Sequence, residues 1–514
     1  MSVTALVKKN TYVDSVSLMS ISTKANAIAG VRQAFVAMGT EKNKEVLKSV
    51  GLLAPELAAA VNGDLMIVID AEDGVDTEAL VPEIEELLVR KAPTGGAADI
   101  TYRTITTAAQ ADDGANLAVI AVNGAYAARE ARQALDNGLH VMLFSDNVPV
   151  EDEVALKTLA HEKGLLLMGP DCGTAIINNV GLCFANAVRP GSIGIVAASG
   201  TGSQEVSVRI HALGGGVSQL IGTGGRDLSE QVGGIMMIDG IRALAADPAT
   251  EAIVLVSKPP APSVEEKVLA EIAAAGKPVV VYFIGGSEAA VVAAGGHFAS
   301  SSQDAALQAV RLTGSADAAV PALDDARVEA ARASLAPEQQ YVRGLFCGGT
   351  LCDESMFALL EAGETVWSNI QKDPSFVLPA GSPSTGHTFL DFGDDEFTNG
   401  RPHPMIDPSL RLARLVEEAK DPSVAAIVMD FVLGFGSHED PVGVTLPAIT
   451  EAKKIAADAG RHLEIVGYVL GTDQDTPNVD AEIAALESVG VTVTRSSTET
   501  GQYARAIVRK GHTA

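Results

Sequence analysis

Aromatic and basic residues are scarce in this 514-residue chain. Aromatic side chains make up 4% of it, and 37 Lys and Arg face 65 Asp and Glu, so that the formal net charge is −28. A surface with that charge repels nucleic acid, and no basic stretch offsets it. We therefore expect the function in local sites, where backbone dipoles can bind small anionic molecules in spite of the overall charge.

Long apolar runs and cysteine patterns are missing as well. No run of about 18 apolar residues occurs, which argues against a membrane-spanning helix. The N-terminus MSVTALVKKN lacks the apolar core of a signal peptide. The four cysteines, Cys172, Cys183, Cys347 and Cys352, form no metal-ligand pattern, and no metal site is predicted. These absences predict a cytoplasmic protein in a reducing compartment.

The chain is too long for one hydrophobic core and is expected to form several domains. Residues 1–95 indicate a small α+β domain, closed by the turn APTGGAAD at 92–99. In 96–187, apolar strands alternate with helices that end at glycine, which predicts a Rossmann-like parallel sheet. The dinucleotide fingerprint GxGxxG is absent from it, so whether this domain binds CoA stays open.

An internal repeat relates the next two domains, 188–330 and 340–514. GIVAASGTGSQE corresponds to GLFCGGTLCDES, DPATEAIVLVSKPP to DPSVAAIVMDFVLG, and GKPVVVYFIGG to RHLEIVGYVLGT. The same order of elements in both copies predicts one fold used twice. The second copy also carries an insertion at about 368–410, and loops of that length are usually functional.

Equivalent glycine-rich turns open a helix in each copy. Backbone N–H groups at a helix start have no acceptor within the helix and favour an anion, whereas the alternative is that a hydroxyl merely caps the helix. If the two copies pack face to face, both starts would hold one phosphoryl or acyl-phosphate group. The predicted phosphate-binding residues are Ser199, Gly200, Thr201, Gly348, Gly349 and Thr350.

The insertion contains a predicted catalytic pair. In LDFGDDEFTNGRPHPMIDP, Arg401 follows a glycine and His403 lies between two prolines. The guanidinium suits paired substrate oxygens, and the imidazole suits general acid–base catalysis. Asp391 in the same stretch is a predicted substrate-binding residue. The alternative is a rigid loop whose carboxylates simply satisfy Arg401.

Four further candidates lie at strand ends or in glycine-rich loops. His297 follows two glycines and is a candidate to carry phosphate, although we favour the interpretation that it is only the polar start of a strand. Arg226 of GGRD, with Asp227 as its expected partner, is a predicted substrate contact at a sheet edge. Gly434 and Gly436 of GFGSHED are predicted to let a substrate approach the backbone closely.

Two family resemblances bear on these residues. TGSQEVSVRIHALGGGVSQLIGTGGRDLSEQVGG, followed by DPATEAIVLVSKPP, resembles the α subunit of succinyl-CoA synthetase, whose phosphate-binding helix begins with Ser-Gly-Thr. MGPDCGT resembles the end of that family's CoA-binding domain, and 340–514 resembles the carboxyl-terminal domain of its β subunit. VKKNTYVDSVSLM, FSDNVPVEDE, KGLLLMGPDCGT, GGRDLSEQVGGI and GRPHPMIDP are similar to FdrA proteins along almost the whole chain.

The resemblances imply an α/β protein: a small N-terminal α+β domain, a Rossmann-like CoA-binding-type domain, and two flavodoxin-like ligase domains of the succinyl-CoA-synthetase type. FdrA proteins are associated with oxamate carbamoyltransferase in anaerobic allantoin use, which interconverts oxalurate plus phosphate with oxamate plus carbamoyl phosphate. Phosphate or carbamoyl phosphate is then a substrate, and other subunits of the complex are partners. CoA as a cofactor and a homo-oligomeric state stay open.

Two alternatives to carbamoyl transfer also stay open. In one, the chain is an acyl-CoA synthetase core that works with a separate ATP-grasp subunit. In the other, it is a non-catalytic scaffold that has kept the ligase fold, since fold alone does not establish chemistry.

Overall fold

The computed structural model describes residues 2–508 except 10, 12, 14, 27, 41–42, 45–46, 49–51, 62, 72–74, 76, 90–100, 113, 380 and 399–400. The chain divides into two units, Met1–Thr101 with Thr398–Pro402, and Tyr102–Phe397 with His403–Ala514. The turn expected at 92–99 lies outside the described residues. Each unit is built around sheets whose apolar residues are covered by helices.

The first unit contains a three-stranded antiparallel sheet. Its elements are β1 (Ser2–Lys8), α1 (Ser15–Asn26), β2 (Val31–Met38), α2 (Pro55–Ala58), β3 (Leu65–Ala71) and α3 (Thr77–Val89). β3 lies in the middle and pairs with both other strands. All of β3 is buried, because alternate residues enter two separate apolar clusters, one with Ile84 and one with Leu57. The predicted small N-terminal α+β domain is confirmed.

The second unit begins with a three-stranded parallel sheet. Its elements are α4 (Ile105–Ala111), β4 (Leu117–Ile120), α5 (Gly124–Asp136), β5 (His140–Leu143), α6 (Val150–Lys163) and β6 (Leu167–Met168). The strands pair in chain order, as the alternating pattern predicts. α6 ends at Gly164, whose φ of +65° provides the left-handed cap that glycine favours.

A seven-stranded sheet forms the first copy of the repeat. Its elements are β7 (Thr174–Ile177), β8 (Val180–Cys183), β9 (Pro190–Ala197), α7 (Gly200–Ala212), β10 (Val217–Gly222), α8 (Ile235–Ala246), β11 (Ala252–Ser257), α9 (Pro262–Ala274), β12 (Val279–Phe283), α10 (Glu288–Ala293), β13 (His297–Phe298) and α11 (Ser302–Leu312). The strand order is β13-β12-β11-β9-β10-β7-β8. The β7–β8 hairpin precedes the boundary expected at 187 but belongs to this sheet, because Ile176 pairs antiparallel with Leu220.

A six-stranded parallel sheet forms the second copy. After α12 (Asp325–Ala333) come β14 (Tyr341–Phe346), α13 (Gly349–Leu360), β15 (Val366–Ser368), a 3-10 turn (Pro374–Phe376), β16 (His387–Asp391), α14 (Asp395–Thr398), α15 (Ser409–Glu418), β17 (Val424–Val432), α16 (Leu446–Asp458), β18 (Glu464–Leu470), α17 (Val479–Ser488), β19 (Thr492–Thr494) and α18 (Ser497–Val508). The strand order is β15-β16-β14-β17-β18-β19. The insertion at 368–410 therefore contributes a strand, β16, to the sheet. Every residue of β17 is buried, as in parallel sheets covered on both faces.

The two copies pack against each other through polar contacts as well as apolar ones. The Asn186 side chain donates to the carbonyl oxygen of Leu433 (2.9 Å) and to Asp475 Oδ2 (2.8 Å), so it joins the end of one copy to two loops of the other. His211 Nε2 lies 2.8 Å from Asp473 Oδ1. Within the described ranges, none of the helices combines the length and apolar character that crossing a membrane requires.

Candidate active site

The starts of α7 and α13 are in direct contact. Ser199 caps α7, and its hydroxyl oxygen accepts a hydrogen bond from the Gly202 N–H at 3.1 Å. The same hydroxyl shares a hydrogen bond with the hydroxyl of Thr350 in the other copy. The Thr350 N–H donates to Thr201 Oγ1 at 3.4 Å. A Cβ at Gly202 would lie 3.0 Å from Thr350 Cγ2, so glycine permits this close approach.

The α7 start leaves backbone donors for a ligand. The N–H groups of Gly200 and Thr201 come too early in the helix to have an acceptor within it. A Cβ at Gly200 would meet only Thr174 Oγ1, at 3.5 Å. Together with the Ser199 and Thr350 hydroxyls, these donors can bind an anion at the positive end of the helix dipole.

The α13 start differs, because a carboxylate of the protein already occupies it. Asp430 on β17 accepts hydrogen bonds from the N–H groups of Cys347 and Gly348, both at 2.8 Å. Its charge is balanced by Arg411, whose Nη1 lies 2.7 Å from Asp430 Oδ1. Both side chains are buried. The N–H of Gly348, a predicted phosphate donor, is therefore engaged by Asp430.

Asp391 lies at the end of β16, directly beside this helix start. Its Oδ1 accepts the Gly393 N–H at 2.8 Å, and its Oδ2 would lie 2.5 Å from a Cβ at Gly349. Burial raises the pKa of Asp391 to about 7, against the opposing effects of the Gly393 N–H and Lys258. A carboxyl that titrates near neutrality at a helix start can both donate and accept a proton.

His403 packs between Phe184 and Gly393. Its Nδ1 accepts the Met405 N–H at 3.2 Å, which assigns the proton of the neutral ring to Nε2. Nε2 would lie 2.7 Å from a Cβ at Gly393, and the ring centroid is 5.8 Å from that of Phe184. Burial, followed by the charge of Arg411, lowers the pKa of His403 to about 4. At neutral pH this imidazole is an uncharged hydrogen-bond donor.

The two remaining predicted catalytic residues are Arg401 and His297. Arg401 is exposed and belongs to the first unit, where its N–H donates to the Thr398 carbonyl at 2.9 Å, and the Gly400 before it lies outside the described residues. His297 is exposed on β13, an edge strand, where it pairs with Val280. Three strand spacings separate β13 from β9, so His297 is displaced sideways by roughly 14 Å from the strand that leads to Ser199.

Arg226 is held by the three-stranded sheet domain. Its Nη2 lies 2.9 Å from Glu153 Oε2 and donates to the Val148 carbonyl at 2.8 Å. The expectation that Asp227 is its partner is wrong. Asp227 instead pairs with Lys157 at 2.7 Å and accepts the Met237 N–H at the start of α8, because the turn directs the two neighbouring side chains to different elements.

The glycines of GFGSHED accommodate the protein's own chain. Gly434 and Gly436 have φ of +108° and +78°. A Cβ at Gly434 would lie 2.4 Å from the Ala185 carbonyl oxygen, and one at Gly436 would lie 3.0 Å from Phe184 Cδ1. The close approach expected of a substrate is made here by residues 183–185.

Sequence analysis missed Lys258, which directly follows β11. Its Nζ lies 3.6 Å from Asp353 Oδ2, one helical turn beyond Thr350 on α13, and about half of the Lys258 side chain is exposed. Burial raises the pKa of Asp353, whereas Lys258 and Lys372 lower it. The only sequence signal was a lysine at the end of a buried strand, which is also typical of an ordinary loop.

The edge of the β4-β5-β6 sheet at which its strands end carries acidic residues. Asp171 lies shortly after β6 at this edge. Burial, followed by the charges of Asp395 and Asp146, raises its pKa to about 7, and Arg226 opposes this. A Cβ at Gly124, the first residue of α5, would lie 2.1 Å from the Asp146 carbonyl oxygen.

Comparison with protein families identifies two domains of the CoA-ligase type in the second unit. Residues 188–285 match the CoA binding domain and residues 345–507 match the CoA-ligase family. Residues 1–102 match the family described as AllF, heavy metal-associated domain. That stretch contains neither cysteine nor histidine. In the described part of the chain, no group of three or more His, Cys, Asp or Glu could hold a metal ion.

The chain belongs to the same family as "Uncharacterized protein YahF" of Escherichia coli strain K12. The two are 61% identical over 100% of both chains. Succinate–CoA ligase [ADP-forming] subunit alpha 2 of Archaeoglobus fulgidus is 31% identical over 183 residues, which is 35% of this chain and 61% of that protein. The apo dinucleotide-forming acetyl-coenzyme A synthetase 1 of Ca. Korarchaeum cryptofilum aligns with a TM-score of 0.36 and 18% identity over 80% of this chain and 87% of its own.

The predicted fold class is confirmed by the family matches of residues 188–285 and 345–507 and by the parallel sheets. Membership of the FdrA family stays a prediction, as do the roles of the individual site residues.

Proposed function

We propose that this chain transfers an acyl group between phosphate and an amide nitrogen at the junction of α7 and α13, with carbamoyl as the acyl group. The single observation that carries the proposal is the contact between Ser199 and Thr350, which brings the backbone donors of the α7 start beside the first turn of α13. Phosphate would be bound by the N–H groups of Gly200 and Thr201 and by the hydroxyl that accepts the hydrogen bond between Ser199 and Thr350, because its own proton is free to donate.

The step balances without a nucleotide. An oxygen of hydrogen phosphate attacks the carbamoyl carbon of oxalurate, and the bond from that carbon to the internal nitrogen breaks. The products are carbamoyl phosphate and oxamate, and the phosphate's proton ends on the oxamate nitrogen. Asp391 is suited to relay that proton, because its pKa is raised to about 7 beside Gly349. We propose that other subunits complete the enzyme, and phosphate and small carboxylates are its ligands.

A second candidate is an acyl-CoA synthetase core working with a separate nucleotide-binding subunit. The match of residues 345–507 to the CoA-ligase family and the likeness to a succinate–CoA ligase alpha subunit favour it. This candidate requires CoA to bind away from the acidic edge at Asp171. It also requires a residue other than His297 to carry the phosphate, because His297 lies on an edge strand away from Ser199.

Phosphorolysis of oxalurate by the chain purified with its associated proteins tests the first candidate. We expect carbamoyl phosphate to form with phosphate alone, and Thr350→Val to lower the rate at least about tenfold. Ser192→Ala is the matched control, because that exposed hydroxyl bonds only to Glu251 at the far end of β9. A reaction that starts only when CoA and ATP are added would favour the second candidate. If no reaction occurs under either condition, the interpretation of the chain as a non-catalytic scaffold is favoured.

A further inference from the structure

Three carboxyl groups and two cations share the space around the α13 start: Asp353, Asp391, Asp430, Arg411 and Lys258. Asp430 is neutralised by Arg411 and by two backbone N–H groups. Asp391 is buried and directs Oδ2 at Gly349. Asp430 is compensated, so it is the ionised form of Asp391 that would repel a phosphate placed at the junction. A cation with free donors is therefore needed at the same place.

Lys258 lies where that cation is required. β11 and β9 pair in register, with Val256 opposite Ala197, so Lys258 and Ser199 leave the same edge of the sheet from neighbouring strands. The Ala198 N–H donates to the Val256 carbonyl at 3.0 Å and holds the two strand ends together. From there the lysine side chain reaches across to α13 of the other copy.

The surroundings of Lys258 leave its ammonium available. Its ion pair with Asp353 is long, at 3.6 Å, and the side chain is 49% exposed. The same charge lowers the pKa of Asp391, so the ammonium acts on both carboxyls beside the α13 start. A half-exposed ammonium has three rotatable donors and behaves as a point charge suited to phosphate oxygens.

We propose that Lys258 binds the phosphate held at the junction of α7 and α13, and so supplies the positive charge that lets an anion enter a site lined by Asp353, Asp391 and Asp430. The inference rests on the proposed function, because it assigns a binding residue to the same site. It identifies the ligand class as an oxyanion with a phosphate group, bound by contributions from both copies of the repeat.

A calorimetric titration of the whole chain with inorganic phosphate tests whether Lys258 binds phosphate. We expect Lys258→Met to weaken phosphate binding about tenfold or more, and Lys258→Arg to retain most of it. Lys420→Met is the matched control, because it removes the same charge from an exposed lysine that pairs with Glu417. Thermal unfolding of each variant shows that the fold is kept.

The neighbour Asp353 distinguishes ligand binding from simple neutralisation. Asp353→Asn is expected to leave phosphate affinity equal or tighter, and the double variant with Lys258→Met is expected to stay weak. Wild-type affinity in the double variant would overturn the proposal, because Lys258 would then serve only to neutralise Asp353. If Lys258→Met alone binds phosphate as tightly as the wild type, the proposed role of Lys258 is overturned, but the proposed function is not. If the wild-type chain binds no phosphate, both the role of Lys258 and the proposed function are contradicted.

Discussion

Glu205 and Glu354 are each the sixth residue of equivalent helices, and each bonds to the first residue of a helix in the other copy. Glu205 Oε1 accepts the Ser497 N–H at the start of α18 at 3.2 Å, and Glu354 Oε1 accepts the Ser302 N–H at the start of α11 at 2.9 Å. Both carboxylates are buried. This reciprocal capping fixes how α7 and α13 pack and therefore brings Ser199 to Thr350.

Replacing Glu354 should weaken the packing of the two copies. Glu354→Ala leaves the donors of Ser302 and Thr498 without their buried acceptor, and we expect a loss of about 3 kcal/mol in the free energy of unfolding. A lower Tm in calorimetry is the measurement. Glu361→Ala, on the exposed end of the same helix, should leave Tm nearly unchanged. An equal Tm for both variants would contradict the capping role.

Asp391 should make stability depend on pH. Its pKa of about 7 in the folded chain lies above the unfolded value, so folding takes up a proton between about pH 4 and 7. Protonation therefore stabilises the fold, and that contribution is lost as pH rises through 7.

Asp391→Asn imitates the protonated carboxyl, so we expect it to raise stability at pH 8, on the order of 2–4 kcal/mol, and to change it little at pH 4. Chemical unfolding at both pH values measures this. Asp458→Asn, which alters an exposed pair with Lys454, serves as the control. A variant that stabilises equally at both pH values would show that Asp391 does not titrate as described.

The first residues of α7 and α13 should differ in their tolerance of a methyl group. A Cβ at Gly349 would lie 2.5 Å from Asp391 Oδ2, whereas one at Gly200 would meet its nearest neighbour at 3.5 Å. We expect Gly349→Ala to displace Asp391, to lower Tm and to abolish most phosphate binding. Gly200→Ala should fold as the wild type does, and we compare its Tm with that of Gly349→Ala. Equal behaviour of the two variants would argue against the position of Asp391.

The four thiols should be unreactive in the folded chain. Burial raises the pKa of Cys172 to about 12, that of Cys183 to about 11, and those of Cys347 and Cys352 well above the usual value. Thiolates are the reactive species, so we expect almost no reaction with a thiol-specific disulfide reagent at pH 8. Four equivalents should react after unfolding in denaturant. Rapid labelling of the native protein would disagree with the burial of these side chains.

The sequence predicted the secondary-structure elements better than it predicted which charged side chains pair with each other. The cap at Ser199 followed from local rules, since a hydroxyl before a helix is a strong signal. The repeat placed Thr350 at the position equivalent to Thr201, and Thr350 meets both Thr201 and Ser199 of the first copy. The partners of Asp430, Arg411 and Lys258 come from distant parts of the chain, and no local pattern shows which carboxylate fills a helix start.

Long-range packing also explains the differences at other candidate residues. Gly434 was expected to face a substrate, but it faces the Ala185 carbonyl, about 250 positions earlier in the chain. His297 begins a strand, as the favoured interpretation predicted, and the edge of the sheet supplies its strand partner, Val280. In both cases the local sequence was compatible with the outcome and only the tertiary neighbour decided it.

A single polypeptide carries both halves of the candidate site, joined by residues 313–340, which include α12. The halves are therefore made in a fixed one-to-one ratio, and dilution does not separate them, because the connection keeps each at a high effective concentration relative to the other. Gene dosage and assembly kinetics thus have no influence on whether Ser199 finds Thr350.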